Sequence, residues 1–206
     1  MFRGGVYIHV PFCRVHCPYC DFVVLADRKP PRRQAFVEAL LTSLEVDSPP
    51  LAAETIYIGG GTPSRLEDEA LSAILQAVVA RFCPQPPQEV TLEANPEDMT
   101  PARLQQWRRM GVTRLSVGVQ RLDRDGLRRL GRGATHAHVQ ALPAMLAAWR
   151  DLGGRASVDL MYGLVDESPV AWARQLATAD SARRRLPIDD RAGDAVWDGA
   201  STWPAI

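Results

Sequence analysis

Short β-branched runs alternate with helical patterns along the first two-thirds of the chain. Val6–Val10 (VYIHV), Thr55–Ile58 (TIYI), Val90–Glu93 (VTLE), Arg114–Val119 (RLSVGV) and Ala156–Leu160 (ASVDL) are short, apolar and each followed by a polar or glycine-rich stretch. Such runs predict buried strands of a parallel sheet. Between them the apolar positions take helical spacing. Phe36, Val37, Leu40, Leu41 and Leu44 form one stripe, and Leu71, Ile74, Leu75, Val78, Val79 and Phe82 form another. Thr100-Pro101 supplies an N-cap and a first-turn proline ahead of Leu104 and Trp107. Val139, Leu142, Met145, Leu146 and Trp149 predict a further helix, in which Pro143 calls for a late start or a kink. The alternation predicts right-handed βαβ units and an α/β fold. After Gly163 the pattern weakens. Ser168-Pro169 predicts one more helix through Trp172 and Leu176, and from Asp180 onward no period is visible. The expectation is a core over 1–165 and a divergent tail over 166–206, poorly ordered at its end, with Trp197 and Trp203 as isolated apolar residues.

Composition narrows this little. With 206 residues, 46% hydrophobic and 23% charged, the chain fits one domain or a large part of one, and is neither disordered nor collagen-like. Lys+Arg and Asp+Glu are 24 each, so nothing points to a nucleic acid or an anionic membrane as partner. No apolar run approaches the ~20 residues of a membrane helix, and the opening MFRGGVYIHVPFC has no secretory pattern. A cytoplasmic location is expected.

The cysteines change the picture. Cys13, Cys17 and Cys20 form C-x3-C-x2-C directly after the first predicted strand, and Cys83 lies far away. Clustering of this kind in a core-rich chain reads as metal or redox chemistry rather than a disulfide framework. Three thiolates on one tight loop can ligate three irons of a cubane 4Fe–4S cluster and leave the fourth iron open. Structural zinc wants four ligands. His9, His16 or Cys83 would have to complete such a set, so zinc ranks second and a disulfide third. Cys83, after a buried-looking helix, reads as a free core cysteine, and His9 as a hydrogen-bonded interior histidine.

Gly59-Gly60-Gly61-Thr62-Pro63 follows the second strand. Glycines there let a ligand approach the backbone and expose amide N–H groups to it. The spacing is neither a dinucleotide fingerprint nor a P-loop. Glu93, Gln120 and Asp159 fall at the ends of later strands. In a parallel barrel, residues at the carboxyl ends of the strands converge on one face, so the cysteine loop, the glycine loop and these three side chains should rim one mouth.

YIHVPFCRVHCPYCDF, IYIGGGTPS, TLEANPE, GVTRLSVGVQ, LGR and VDLMYGL occur in that order from Tyr7 to Leu164. Together they resemble the radical S-adenosylmethionine (SAM) proteins of the oxygen-independent coproporphyrinogen III oxidase group. Within it the chain looks most like the heme-chaperone branch, because the oxidases carry a further cysteine two positions after the third and here Cys20 is followed by Asp21-Phe22. The resemblance implies a partial (β/α) barrel of the radical SAM type and a 4Fe–4S cluster on Cys13, Cys17 and Cys20. It implies SAM contacts from Tyr7, Tyr19, Gly60, Gly61, Thr62, Glu93, Gln120, Arg132 and Asp159. It also implies heme as cargo for a heme-accepting apoprotein, and an electron donor such as a flavodoxin or ferredoxin. The alternatives are oxidative decarboxylation of coproporphyrinogen III and, from a different class, a non-catalytic zinc or structural module. Read singly, Tyr7 suits a core position, Arg132 a solvated turn and Asp159 a helix cap.

The chain departs from the group in three ways. Family members are nearly twice as long, and five strands are visible here without a sixth. The family's M-x-G-L-P reads Met161-Tyr162-Gly163-Leu164-Val165, without the proline, and the HN-x-x-YW stretch of the chaperone branch is absent. The expectation is a truncated or frame-disrupted chain whose barrel lacks its last strand and so leaves an open edge and an uncovered core face.

Overall fold

The computed structural model describes residues 2–26, 30–45, 51–132, 134–165 and 167–184. Five parallel strands make the main sheet: β1 (Phe2–Val10), β4 (Leu51–Gly60), β5 (Glu89–Ala94), β6 (Arg114–Gln120) and β7 (Arg155–Leu160), in the order β1-β4-β5-β6-β7. Neighbours in the sheet are therefore neighbours in sequence, and each crossover carries a helix. This is the open, partial barrel expected. Two-residue strands β2 (Phe12–Cys13) and β3 (Leu25–Ala26) pair with each other outside it.

The helices are α1 (Pro30–Glu45), α2 (Asp68–Phe82), α3 (Pro101–Arg109), α4 (Arg124–Arg129), α5 (His136–Asp151) and α6 (Pro169–Arg184). Single 3-10 turns, Pro63–Arg65 and Pro96–Asp98, follow β4 and β5. Thr100 caps α3, its hydroxyl accepting the Arg103 N–H at 3.2 Å. The α5 helix starts at His136 and passes through Pro143, so the proline delays nothing. A capping box between Thr135 and His138 sets its start, and burial of Val139, Leu142 and Trp149 holds it across the proline. Six residues are too few to show a period, and α4 escaped the sequence reading; Asp123 begins it by accepting the Gly126 N–H at 2.7 Å.

Only one side of the sheet is apolar. Ile8, Val10, Ile56, Ile58, Leu92, Leu115 and Val117 are buried toward the helices, against Leu71, Ile74, Leu75 and Val78 of α2, Leu104 and Trp107 of α3, and Trp149 of α5. The concave side carries Tyr57, Glu93, Ser116 and Asp159, so the strands are not the doubly apolar runs their composition suggests. Both β1 and β4 begin earlier than their hydrophobic runs. Pairing of Phe2 with Leu51 extends the ladder through Gly4 and Gly5 by backbone hydrogen bonds, which need no side-chain pattern.

Among the described residues no sixth strand joins the sheet. Val158 on β7 is 37% exposed although its neighbour Val117 is 0% exposed, so the helix-facing side of this edge is uncovered. Ser168 opens α6 as expected, accepting the Ala171 N–H at 3.1 Å. The helix then runs past Asp180 to Arg184, where no period was visible, because alanine and arginine favour helix without an apolar stripe. The Gln175 side chain accepts the Leu122 N–H and donates to Asp123, both at 2.8 Å, and Arg121 pairs with Glu167, tying this region to the segment after β6. Trp197 and Trp203 lie outside the described residues. No described helix is long and apolar enough to cross a membrane.

Candidate functional site

The carboxyl ends of β1, β4, β5, β6 and β7 open on one face, and the cysteine loop folds over it. That loop leaves β1 and is clipped by the β2–β3 pairing, by the Cys20 N–H donating to the Cys17 carbonyl at 3.0 Å, and by His9. The Val23 carbonyl can only accept, so His9 Nε2–H donates to it at 3.0 Å, and His9 Nδ1 then accepts the Tyr7 hydroxyl at 3.1 Å. Both ring nitrogens are engaged, so His9 is hydrogen-bonded as expected, but it is half-buried rather than interior.

One cavity lies beneath the loop. Eleven of the twelve candidate residues line it: Cys13, Cys17, Cys20, Tyr19, Gly60, Gly61, Thr62, Glu93, Gln120, Arg132 and Asp159. Tyr7 stands outside, 58% exposed, neither core nor cavity wall, and is linked to the site through His9 and through the Tyr57 ring, 5.9 Å away. All three loop cysteines are free and half-buried. No three His, Cys, Asp or Glu side chains among the described residues converge on a point that would hold a single metal ion. A cubane makes no such demand, since each thiolate binds a different iron. Cys83 packs against the core at the end of α2 and is not in the cavity wall.

The glycine loop works differently from the sequence expectation. Its amides are not exposed to a ligand. Gly60 N–H donates to Glu93 Oε2 at 3.0 Å, Gly61 N–H to the Val10 carbonyl and Thr62 N–H to the Phe12 carbonyl, both at 2.8 Å. Glycine is needed because other parts of the protein come close. A Cβ on Gly60, whose φ is +112°, would lie 2.6 Å from the His9 ring, and one on Gly61 would lie 2.8 Å from the Phe12 backbone. The loop thus seals the strand end onto the start of the cysteine loop.

Glu93 is held from two sides, accepting the Tyr57 hydroxyl at 2.7 Å as well as the Gly60 amide. Burial nevertheless pushes its carboxyl above the usual range, with these hydrogen bonds pulling the other way. Burial raises the Tyr57 hydroxyl to about 12. It also raises Tyr19 to about 12, against the pull of Arg132. The Cys13 thiol is pushed up by burial, partly countered by the Thr62 hydroxyl, which donates to its sulfur at 3.5 Å. Asp159 accepts from Ser116 Oγ at 3.3 Å and caps no helix.

Gln120 occupies the left-handed region at φ 68°, where the pairing of β6 with β7 slips between Gly118 and Gln120. A non-glycine residue held there is strained, and the bulge places it in the cavity wall. Arg132 is not a solvated turn residue. It donates to the Tyr19 hydroxyl at 3.1 Å, to Asn95 Oδ1 at 3.0 Å and to the Gly118 carbonyl, joining the cysteine loop to the ends of β5 and β6.

Sequence reasoning passed over Asn95 and Glu97. Both lie in the quoted TLEANPE stretch and both line the cavity. Glu97 Oε2 and Arg132 Nε are buried without a hydrogen-bond partner. A buried acceptor and a buried donor without partners, on two side chains of one cavity wall, suit a ligand with both an amino group and a carboxylate, which the methionyl end of SAM possesses.

The sequence model of the radical SAM superfamily matches residues 7–174. The chain is 40% identical over 168 residues to the heme chaperone HemW of Escherichia coli, covering 80% of this chain and 44% of that protein. It is 39% identical over 178 residues to the mitochondrial radical S-adenosyl methionine domain-containing protein 1 of Bos taurus, covering 84% of this chain and 39% of the relative. Among solved structures, coproporphyrinogen III oxidase HemN from E. coli, a radical SAM enzyme, superposes with a TM-score of 0.79 at 25% identity, over 87% of this chain and 42% of that one. The chain thus spans less than half the length of these relatives.

Proposed function

This chain belongs to the radical SAM superfamily, and from that premise we propose that it holds a 4Fe–4S cluster on Cys13, Cys17 and Cys20, binds SAM beside it, and serves as a heme chaperone. One observation carries the reading. The three thiols share a single cavity with eight of the nine candidate SAM contacts, most of them delivered by the ends of consecutive parallel strands.

The division of labour follows from the donor set. The thiolates are soft ligands for iron, and three of them leave a coordination position for the amino and carboxylate groups of SAM. Arg132 Nε would offer a donor to the carboxylate and Glu97 Oε2 an acceptor to the amino N–H. Gln120 and Asp159 supply further polar contacts from the β6 and β7 ends, and Glu93 holds the Gly60 loop in place. When bound, the cluster and SAM supply one-electron chemistry, for which a flavodoxin or ferredoxin is the expected donor, in the reducing setting of a cytoplasm. The cysteine loop and the β5 and β6 ends, joined by Arg132, would shield the bound groups from water.

Heme is the proposed cargo, passed to an apoprotein. The 40% identity to a heme chaperone and the Phe22 at the position where the oxidases carry a further cysteine favour it. The structural likeness to HemN supports coproporphyrinogen III oxidation as the second reading. Anaerobic reconstitution tests the common part: about four irons and four sulfides per chain are expected, with loss of the cluster on Cys17→Ser. Heme titration followed by absorbance, beside anaerobic turnover with SAM, reductant and coproporphyrinogen III, separates the two readings. Colourless, iron-free protein sinks both.

A further inference from the structure

Resting on the cluster assignment above, we infer that Asn95 is a positioning residue that aims the Thr62 hydroxyl at the Cys13 sulfur, in a one-way hydrogen-bond relay starting at Arg132. Donor capacity fixes its direction. A guanidinium only donates, so the Asn95 atom 3.0 Å from Arg132 Nη2 is its carbonyl oxygen. The Asn95 amide nitrogen then faces Thr62 and donates to its Oγ1 at 3.4 Å, and to Glu97 Oε1 at 3.5 Å. With that oxygen receiving a proton from Asn95, the Thr62 O–H is left to donate, and its partner is Cys13 Sγ at 3.5 Å. Thr62 is 5% exposed, which leaves little of it within reach of water.

The relay couples three distant segments: the loop after α4, the end of β5 and the glycine loop. Links of this kind polarise one another, and a hydrogen bond to a ligating sulfur raises a cluster's reduction potential by stabilising the more electron-rich state. The relay thereby makes the cluster easier to reduce, and its input is the same cavity-lining arginine whose Nε is buried without a partner.

The test is an EPR-monitored redox titration of the anaerobically reconstituted full chain. Thr62→Val removes the final donor without changing charge, and its midpoint is expected to move to more negative potential. Thr62→Ser keeps the hydroxyl and should stay at the wild-type value. Asn95→Asp can still accept from Arg132 but has no N–H for Thr62, so the hydroxyl turns to the new carboxylate and the midpoint falls. In a Thr62→Val background the same Asn95→Asp change should have a smaller effect. If valine prevents cluster assembly, Thr62→Ala reads the same loss. Wild-type potentials in Thr62→Val or Thr62→Ala at full cluster occupancy overturn the relay. Wild-type protein that takes up no iron overturns the cluster assignment instead, and the relay with it.

Discussion

Glu93 shows how one side chain serves the site at a cost to the fold. Its carboxylate is buried beside Tyr57, and burial raises its affinity for a proton. For a carboxyl raised in this way, the stabilising state is the protonated one, present below the ordinary value of 4.5 and lost as pH rises through the folded value. At neutral pH the charge therefore opposes folding. Glu93→Gln should leave the thermal midpoint of the cluster-free protein at pH 7.5 no lower than wild type, measured by calorimetry. The same change removes the charged acceptor of the Gly60 amide and should weaken SAM binding to the reconstituted protein by about 10-fold, read by isothermal titration, in line with ~1.5–3 kcal/mol for a hydrogen bond to a charged group. That Cys13, Cys17 and Cys20 would face one cavity was legible from spacing alone, because all three lie on one short loop. Asn95 and Glu97 were not, because an asparagine and a glutamate after a strand look like any polar turn until their partners are known.

At the scale of elements, the periodic helices and all five main strands could be read from the chain, and α4 and the two 3-10 turns could not. The turns matter most, since Pro63–Arg65 follows Thr62 and Pro96–Asp98 follows Asn95. A single arginine from α3 holds both. Arg103 donates to the Ser64 carbonyl at 2.7 Å, the Leu66 carbonyl at 3.1 Å, the Asp98 carbonyl at 3.3 Å and Asp68 Oδ1 at 2.8 Å, and its guanidinium lies 4.7 Å over the Trp107 ring. Arg103→Ala removes these hydrogen bonds and should destabilise the protein by about 2–3 kcal/mol in urea unfolding. Arg103→Lys should recover only part of this, because an ammonium cannot span the fork. Trp107 is 0% exposed and its indole N–H also reaches Asp68, at 3.1 Å, so the α3 stripe is core and anchor together.

Across the whole molecule, α6 joins the barrel through ionic and polar contacts rather than a broad apolar face. Leu176 and Val170 remain exposed, while Glu167 pairs with the buried Arg121. The hydrogen bond from Arg121 holds the Glu167 carboxyl below its ordinary value of 4.5. A depressed carboxyl stabilises the fold above its unfolded value and loses that contribution as pH falls through the folded one. The contacts of α6 should therefore loosen below about pH 4.5 before the main sheet does, seen as faster amide exchange over Pro169–Arg184 after correction for intrinsic rates. Glu167→Gln should remove this acid-dependent step.

Repeats of apolar residues and the gaps between cysteines act over a few positions, so strands, helices and the clustered cysteine triplet could be recognised in the chain itself. Glycines at the β4 end were visible too, but not what they do. Only the folded sheet shows that their amides are already taken by Glu93, Val10 and Phe12. The cavity's working groups depend on strand order in the same way. Arg132 meets Tyr19 across 113 positions and Asn95 meets Thr62 across 33. Side-chain partnerships at such separations follow from which strand ends lie side by side, and no local pattern encodes them.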